Sequence, residues 1–154
     1  MKKIIIVLVI LLMITSVSAF SLGIGLSTGL NVGQGMPSNL MLSAKFDQLP
    51  FLLGIAVDFD DPFFLGATAD FWAFNENLTG PINFYAGPGL YTAIQGGDPA
   101  QISLGARVPL GLNVFLLNFF ELFIEVAPTL GFLPEFNIPG SVGLQAAAGF
   151  RFWF

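Results

Sequence analysis

Large apolar residues alternate with small or polar residues along most of this chain. From Phe20 to Gly33 the even positions are nearly all large and apolar, and the odd positions are Ser, Gly or Asn. Successive side chains of a β-strand point to opposite faces, so this period predicts strands with one bulky and one small face. The pattern recurs in seven further segments: 40–46, 51–60, 65–72, 82–94, 102–113, 122–127 and 142–154. The chain is therefore expected to be all-β, with about eight strands.

Turn-forming residues separate these segments. Gly, Pro, Asn and Asp concentrate between the alternating runs and favour tight reversals of the chain. The predicted connections are Gln34–Asn39, Asp47–Pro50, Asp60–Pro62, Asn75–Pro81, Gly96–Pro99, a short break at Asn118, and Leu133–Gly140. Short connections between neighbouring strands indicate an antiparallel arrangement.

Composition identifies the solvent of the bulky face. The chain is 55% hydrophobic and 10% charged, whereas soluble domains carry about a quarter charged residues. The second face is small and sparsely charged, unlike the water-facing side of a soluble sandwich. We therefore expect the bulky face to meet lipid and the small face to line a closed barrel, because strands in lipid must pair every edge. A bundle of membrane helices is the alternative, but no stretch of 18 residues after Ala19 is apolar and free of Gly, Pro and charge.

The first nineteen residues have the pattern of an export signal. Lys2 and Lys3 precede an apolar run over 4–14, which small or polar residues follow up to Ala19. The run is too short to span a bilayer, which takes about 20 residues. We predict a signal peptide over residues 1–19, cleavage between Ala19 and Phe20, and a barrel domain over 20–154. The expected location is the bacterial outer membrane, reached by export through the periplasm.

Aromatic residues alternate at the other end of the chain. Gly149, Phe150, Phe152 and Phe154 resemble the signal that the barrel-assembly machinery reads in outer-membrane proteins, although Ala147 stands where that signal usually has a polar residue. An aromatic girdle at the membrane interface is the structural alternative. Either interpretation puts the end of the chain at the periplasmic rim. With both mature ends in the periplasm, the strand number must be even, and the length favours eight strands over ten.

The whole pattern resembles the small eight-stranded barrels of the OmpA transmembrane-domain, OmpX and OmpW type. The segments 107–113 and 121–128, with the aromatic ending, are similar to an uncharacterised family of small barrels from spirochaetes. That resemblance implies an outer-membrane location and no established activity, and some relatives in such groups are discussed as surface antigens.

Six charged residues fall on the inward face by parity and form a predicted lumenal polar network. Glu125 and Arg151 are expected to pair, and the remaining cations to pair with the remaining acids. The network is either a structural plug of ion pairs or an ion path gated by them. Inward aromatic residues, among them Tyr85 and Trp72, would fill the lumen further, and open pores need about 16 strands. The six residues are Lys45, Asp58, Asp70, Arg107, Glu125 and Arg151.

Missing residue types exclude several functions. The chain has no His and no Cys, so a Ser–His triad and thiolate ligands are both excluded. We predict no enzyme activity, no catalytic residue, no cofactor and no metal site. The net charge of −5 argues against nucleic acid as a partner. The expected partners are outer-membrane lipid and the export and assembly machineries, while a surface ligand or host partner is not identified.

A binding function is the remaining alternative. The loops are short, and the most distinctive is the apolar one that contains Phe132, Leu133, Phe136 and Ile138. It would either contact an apolar ligand or surface partner or lie in the lipid interface.

Overall fold

The structure is a computed structural model that describes residues 21–33, 40–134 and 141–154, and its regular structure there is entirely β. Within these ranges there is no helix long and apolar enough to cross a membrane. The predicted signal peptide, with Ala19 and Phe20, lies outside the described residues, as do Phe136 and Ile138. The strands are β1 (Leu22–Gly33), β2 (Leu40–Phe46), β3 (Phe51–Asp58), β4 (Phe64–Phe71), β5 (Phe74–Thr79), β6 (Ile82–Ala86), β7 (Gly89–Gln95), β8 (Gln101–Arg107), β9 (Leu110–Leu117), β10 (Phe120–Leu133) and β11 (Val142–Trp153).

These eleven segments make eight barrel strands. β4 continues into β5, β6 into β7 and β8 into β9 across short breaks, and every pairing is antiparallel. β1 pairs with β11, which closes the sheet. The predicted all-β closed barrel of eight strands is confirmed. We call the end that carries Leu22, Phe154 and the short turns the chain-end rim, and the opposite end the loop rim.

The strand registers fix the stagger of the barrel. When register partners are followed from strand to strand once around the barrel, the path starts at Gly23 of β1. It returns to β1 at Gly33, ten residues further along. The barrel therefore has eight strands and a shear of ten, a size that leaves an interior wide enough for side chains only. The path runs through Gly23, Lys45, Leu52, Asp70, Gly89, Arg107, Thr129, Gly143 and Gly33.

The two faces of the sheet divide as the alternation predicts. Apolar side chains such as Val32, Ile55 and Ile124 are exposed on the outside. Small and polar residues such as Ser43 and Thr68 are buried inside. Since an apolar outer surface of this kind is costly in water, the outer face is suited to lipid.

Three prolines lie at or opposite the short breaks that divide the long barrel strands. The carbonyl oxygens of Pro88, Pro109 and Pro128 accept the backbone N–H groups of Phe71, Gly87 and Val108 at 2.8, 3.2 and 3.0 Å. The N–H and C=O of one strand residue point to the same side, so each proline directs its missing donor at the break of the neighbouring strand. The prolines thus occupy the places where the ladder is already interrupted.

One predicted turn is wrong. Most of Asn75–Pro81 is strand β5, which forms a hairpin with β6 at the chain-end rim, and the reversal is confined to Gly80 and Pro81. Gly80 has φ of 53°, and the Asn77 side chain donates to its carbonyl at 2.9 Å. The polar side chains of this hairpin gave a turn-like signal because it lies beyond the apolar part of the barrel.

Candidate functional site in the barrel interior

The interior holds most of the charged residues that parity assigned to it. Lys45, Asp70, Arg107, Glu125 and Arg151 are buried inside the barrel. Asp58 does not join them, because it ends β3, is only half-buried, and its Oδ1 accepts the N–H of Asp60 at 3.0 Å. A carboxylate that bends back to its own loop cannot reach the interior cations.

Glu121 is the centre of one cluster, close to the chain-end rim. Its Oε1 accepts hydrogen bonds from Arg151 Nη1 and Asn113 Nδ2, both at 2.7 Å. Its Oε2 accepts from Trp153 Nε1, also at 2.7 Å. Both side chains of the ion pair are fully buried, so this carboxylate neutralises Arg151 in a site without solvent.

Glu125 belongs to a second cluster, four residues further along β10 and on the same inward face. It pairs with Arg107 and accepts a hydrogen bond from the Tyr85 hydroxyl at 3.0 Å. Arg107 also lies 3.3 Å from Asp70, through Nε and Oδ1. The four residues come from four consecutive barrel strands, so the cluster links half of the barrel wall from the inside.

The predicted Glu125–Arg151 pair is therefore wrong. In the register of β10 and β11, Arg151 lies directly opposite Glu121, whereas Glu125 faces Ala147. The predicted pairing of Arg107 with Asp70 is present. Lys45 has no carboxylate within ion-pair distance in the described part of the chain, and its Nζ donates to the carbonyls of Phe46 and Leu49 at 3.3 Å.

Aromatic rings separate the two clusters. Trp72 and Tyr85 stack with centroids 3.9 Å apart and an angle of 11° between the rings. Lys45 Nζ lies 4.6 Å from the centroid of Trp72, and the Arg151 guanidinium lies 4.0 Å from that of Phe123. Cation–π contacts of this kind stabilise desolvated cations that lack a second carboxylate. Tyr85 fits because the strand beside it has Gly111, where a Cβ would overlap the ring.

Towards the loop rim the filling becomes apolar. Met41, Ala56, Phe64, Tyr91 and Ala93 form one buried cluster. The interior thus changes along its axis from ion pairs at the chain-end side to this apolar cluster and uncharged polar side chains, such as Ser141 and Gln145, at the loop side.

Sequence reasoning missed Glu121 as a member of the network. The signal was present, because Glu121 and Glu125 are four residues apart and have the same parity. The predicted strand began at Leu122, whereas β10 begins at Phe120 and places Glu121 inside.

The charges of the interior balance. Lys45, Arg107 and Arg151 are matched by three buried acids, Asp70, Glu121 and Glu125. Within residues 21–33, 40–134 and 141–154, no group of three or more acidic side chains is arranged to hold a metal ion. The arrangement suits a neutral set of ion pairs and hydrogen bonds that crosslinks the barrel walls.

Comparison with known proteins supports the fold. A family model described as "Protein of unknown function (DUF3996)" matches residues 3–154. No curated protein matches the chain. The crystal structure of Neisserial surface protein A (NspA) is similar, with a TM-score of 0.55 and 17% sequence identity over 88% of this chain and 97% of that one. At this identity the likeness shows a shared fold, and it does not select among the small barrel families that the sequence resembles.

Proposed function

This chain belongs to the DUF3996 family, and we propose that it is a non-enzymatic outer-membrane protein whose lumen is filled and whose role is structural or surface-exposed. The observation that carries the proposal is the pair of interior clusters around Glu121 and Glu125, whose buried ion pairs join neighbouring strands inside the lumen. The described similar structure is that of a surface protein, which supports exposure of the loop rim at the cell surface.

A filled interior argues for a lumen that does not conduct ions. The Trp72–Tyr85 stack and the apolar cluster around Tyr91 occupy the cross-section at two heights. Because an isolated buried charge costs several kcal/mol, the pairs resist separation by a passing ion. The absence of His and Cys from the whole sequence supports the non-enzymatic part of the proposal.

Export and assembly complete the proposal. Residues 1–19 serve as the signal peptide, with cleavage between Ala19 and Phe20, and the Gly149–Phe154 ending engages the assembly machinery. The apolar outer surface supports a location in the outer membrane. Mass spectrometry of the protein from membrane fractions tests the cleavage site, since a mature chain that begins elsewhere would contradict it.

Single-channel recording tests the closed lumen. The protein purified from membranes is inserted in a planar bilayer and compared with Glu125→Gln, Arg151→Gln and the double variant Trp72→Ala/Tyr85→Ala. We expect no steady current from the wild type and a measurable current from the double variant, because it removes the aromatic layer. Glu76→Gln, on the exposed hairpin, is the matched control and should stay silent.

The channel alternative predicts the opposite result. If the interior pairs formed a gated ion path, folded wild-type protein would conduct, and Glu125→Gln or Arg151→Gln would change the current. Heat-dependent gel mobility verifies that each variant is folded before its current is interpreted.

A further inference from the structure

Strand β5 leaves the barrel with one unpaired edge, and we propose that this edge binds an extended segment of a periplasmic polypeptide by strand addition. The periplasmic side follows from the outer-membrane orientation proposed above, on which this inference rests.

The open edge follows from the strand order. Within the described residues β5 is the last strand of the sheet, paired with β6 alone, and all six of its residues are exposed. On its other side the chain turns away at 47–50, where Pro50 O accepts the Trp72 N–H at 2.7 Å. Beyond that bond the backbone groups of β5 that face away from β6 have no partner among the described strands.

The edge lies outside the hydrocarbon layer. Open sheet edges do not occur in contact with lipid chains, because unpaired backbone groups there cost several kcal/mol each. The residues agree, since four of the six in β5 are polar and the charged Glu76 lies on its outward face, where β4 has only apolar side chains. An aqueous, unpaired edge of this kind is the surface that strand-addition partners use.

The hairpin is held in shape before any partner arrives. β6 pairs with β9 over five residues, which anchors the hairpin to the barrel wall. The Asn77 side chain donates to Gly80 O and to Asn83 Oδ1, both at 2.9 Å, which fixes the turn. A preorganised edge reduces the ordering cost that a strand-adding ligand must overcome.

The side chains define the chemistry of the partner. Phe74 and Leu78 are 61% and 58% exposed, and they flank Glu76, which forms no ion pair with any described residue. Asp47 adds a second exposed carboxylate in the neighbouring turn. The edge therefore fits a strand with a basic residue between apolar ones, whose charge complements Glu76.

A second copy of this chain fits less well. Two barrels in one membrane are related by an axis along the membrane normal, and barrel strands tilt by about 35–45°. Their β5 edges would then cross at roughly 70–90°. Strands that cross so steeply do not form a ladder, so the partner is a different polypeptide.

Amide hydrogen exchange of the protein purified from outer membranes tests the proposal. The probes are a synthetic peptide of alternating Val and Lys, the same peptide with Glu for Lys, and the Lys peptide with a central Pro. We expect saturable protection by the Lys peptide only, at those amides within residues 74–79 that face away from β6. Glu76→Lys should lower the affinity for the Lys peptide by roughly tenfold and raise the affinity for the Glu peptide. Asp98→Lys, at the loop rim, should change neither affinity.

Three results would overturn the proposal. One is the lack of protection by the Lys peptide, or equal protection by all three. Another is protection, without peptide, of the β5 amides that face away from β6, whether concentration-dependent, which indicates a second copy, or concentration-independent, which indicates the chain's own segment. The last is labelling of Glu76→Cys in intact cells by an impermeant maleimide, which would put the edge at the surface. None of these depends on whether the lumen conducts.

Discussion

Glu121 shows how much a single interior position can control. Its two carboxylate oxygens accept hydrogen bonds from three donors on the two neighbouring strands, β9 and β11, and one of these donors is the buried Arg151. If the carboxylate is removed, the guanidinium stays in a site without water and without a counter-charge. Breaking a buried ion pair in this way is strongly destabilising.

We expect Glu121→Ala to lower the free energy of unfolding by about 3–5 kcal/mol. Urea unfolding in lipid vesicles, followed by tryptophan fluorescence, measures the change, since Trp153 bonds to the same carboxylate. The control is Glu76→Ala, whose side chain is exposed on the hairpin and should cost less than about 0.5 kcal/mol.

A second variant separates the ion pair from general packing. Glu121→Ala/Arg151→Met removes both charges, so it should cost less than the sum of the two single changes. A purely additive double variant would show that the two charges do not stabilise each other.

At the residue scale, parity carries most of the predictable information. It assigns Lys45, Asp70, Arg107, Glu125 and Arg151 to the face on which the structure buries them. Parity does not identify partners, because those depend on which residues lie opposite each other across two strands. The expected Glu125–Arg151 pair failed for that reason, since the register puts Glu121 opposite Arg151.

Among the strands, β10 combines a central proline with two buried glutamates, Glu121 and Glu125. Pro128 lies opposite the break between β8 and β9, so its missing N–H removes no ladder bond. Val126, two residues earlier, has Leu110 on one side and Ala146 on the other. Proline at this second position would remove a backbone bond from the end of the β9–β10 ladder.

We therefore expect Pro128→Ala to change stability by less than about 1 kcal/mol. Val126→Pro should cost about 3 kcal/mol or more and reduce the folded fraction on heat-modifiable gels. Equal damage by both substitutions would contradict the view that the prolines mark pre-existing breaks.

The last residue offers a test that separates assembly from stability. Phe154 forms two backbone bonds with Leu22, but its ring is 77% exposed. We expect Phe154→Ala to leave the unfolding free energy nearly unchanged and to reduce the amount assembled in cells several-fold, because the ring would act in recognition by the assembly machinery. Phe59→Ala, a ring 79% exposed near the loop rim, is the control and should assemble normally.

At the element scale, the lipid-facing strands were predictable and the hairpin was not. Alternation is legible wherever one face must be apolar, as in β1 or β3. Four of the six residues of strand β5 are polar, so they interrupt the alternation and look like a turn. The small breaks inside the long strands were also hidden, since Gly and Pro occur both in turns and in bent strands.

For the whole molecule, the decisive feature is the closure of the sheet by β1 and β11. Thr28 and Ala148 are register partners across that seam, and both are exposed outside. The sequence predicted the closed sheet and the strand number, but the shear of ten depends on registers that a period of two cannot fix.

Cysteine pairs can test the seam without background, because the chain has no Cys. We expect oxidised Thr28→Cys/Ala148→Cys to run as a faster, crosslinked species on non-reducing gels. Thr28→Cys/Ile124→Cys is the matched control, since its residues lie two strands apart, about 9–10 Å, which is beyond disulfide reach. Crosslinking in the control alone would refute the register.

The same seam also sets a timetable. β1 is the first barrel strand to be synthesised and β11 is the last, yet each is the other's partner along eleven residue pairs. One side of the earliest strand therefore waits, with its backbone unsatisfied, for the arrival of the latest one. During that delay the free edge of β1 can pair with the wrong strand. Correct assembly therefore depends on what protects this edge until β11 is available.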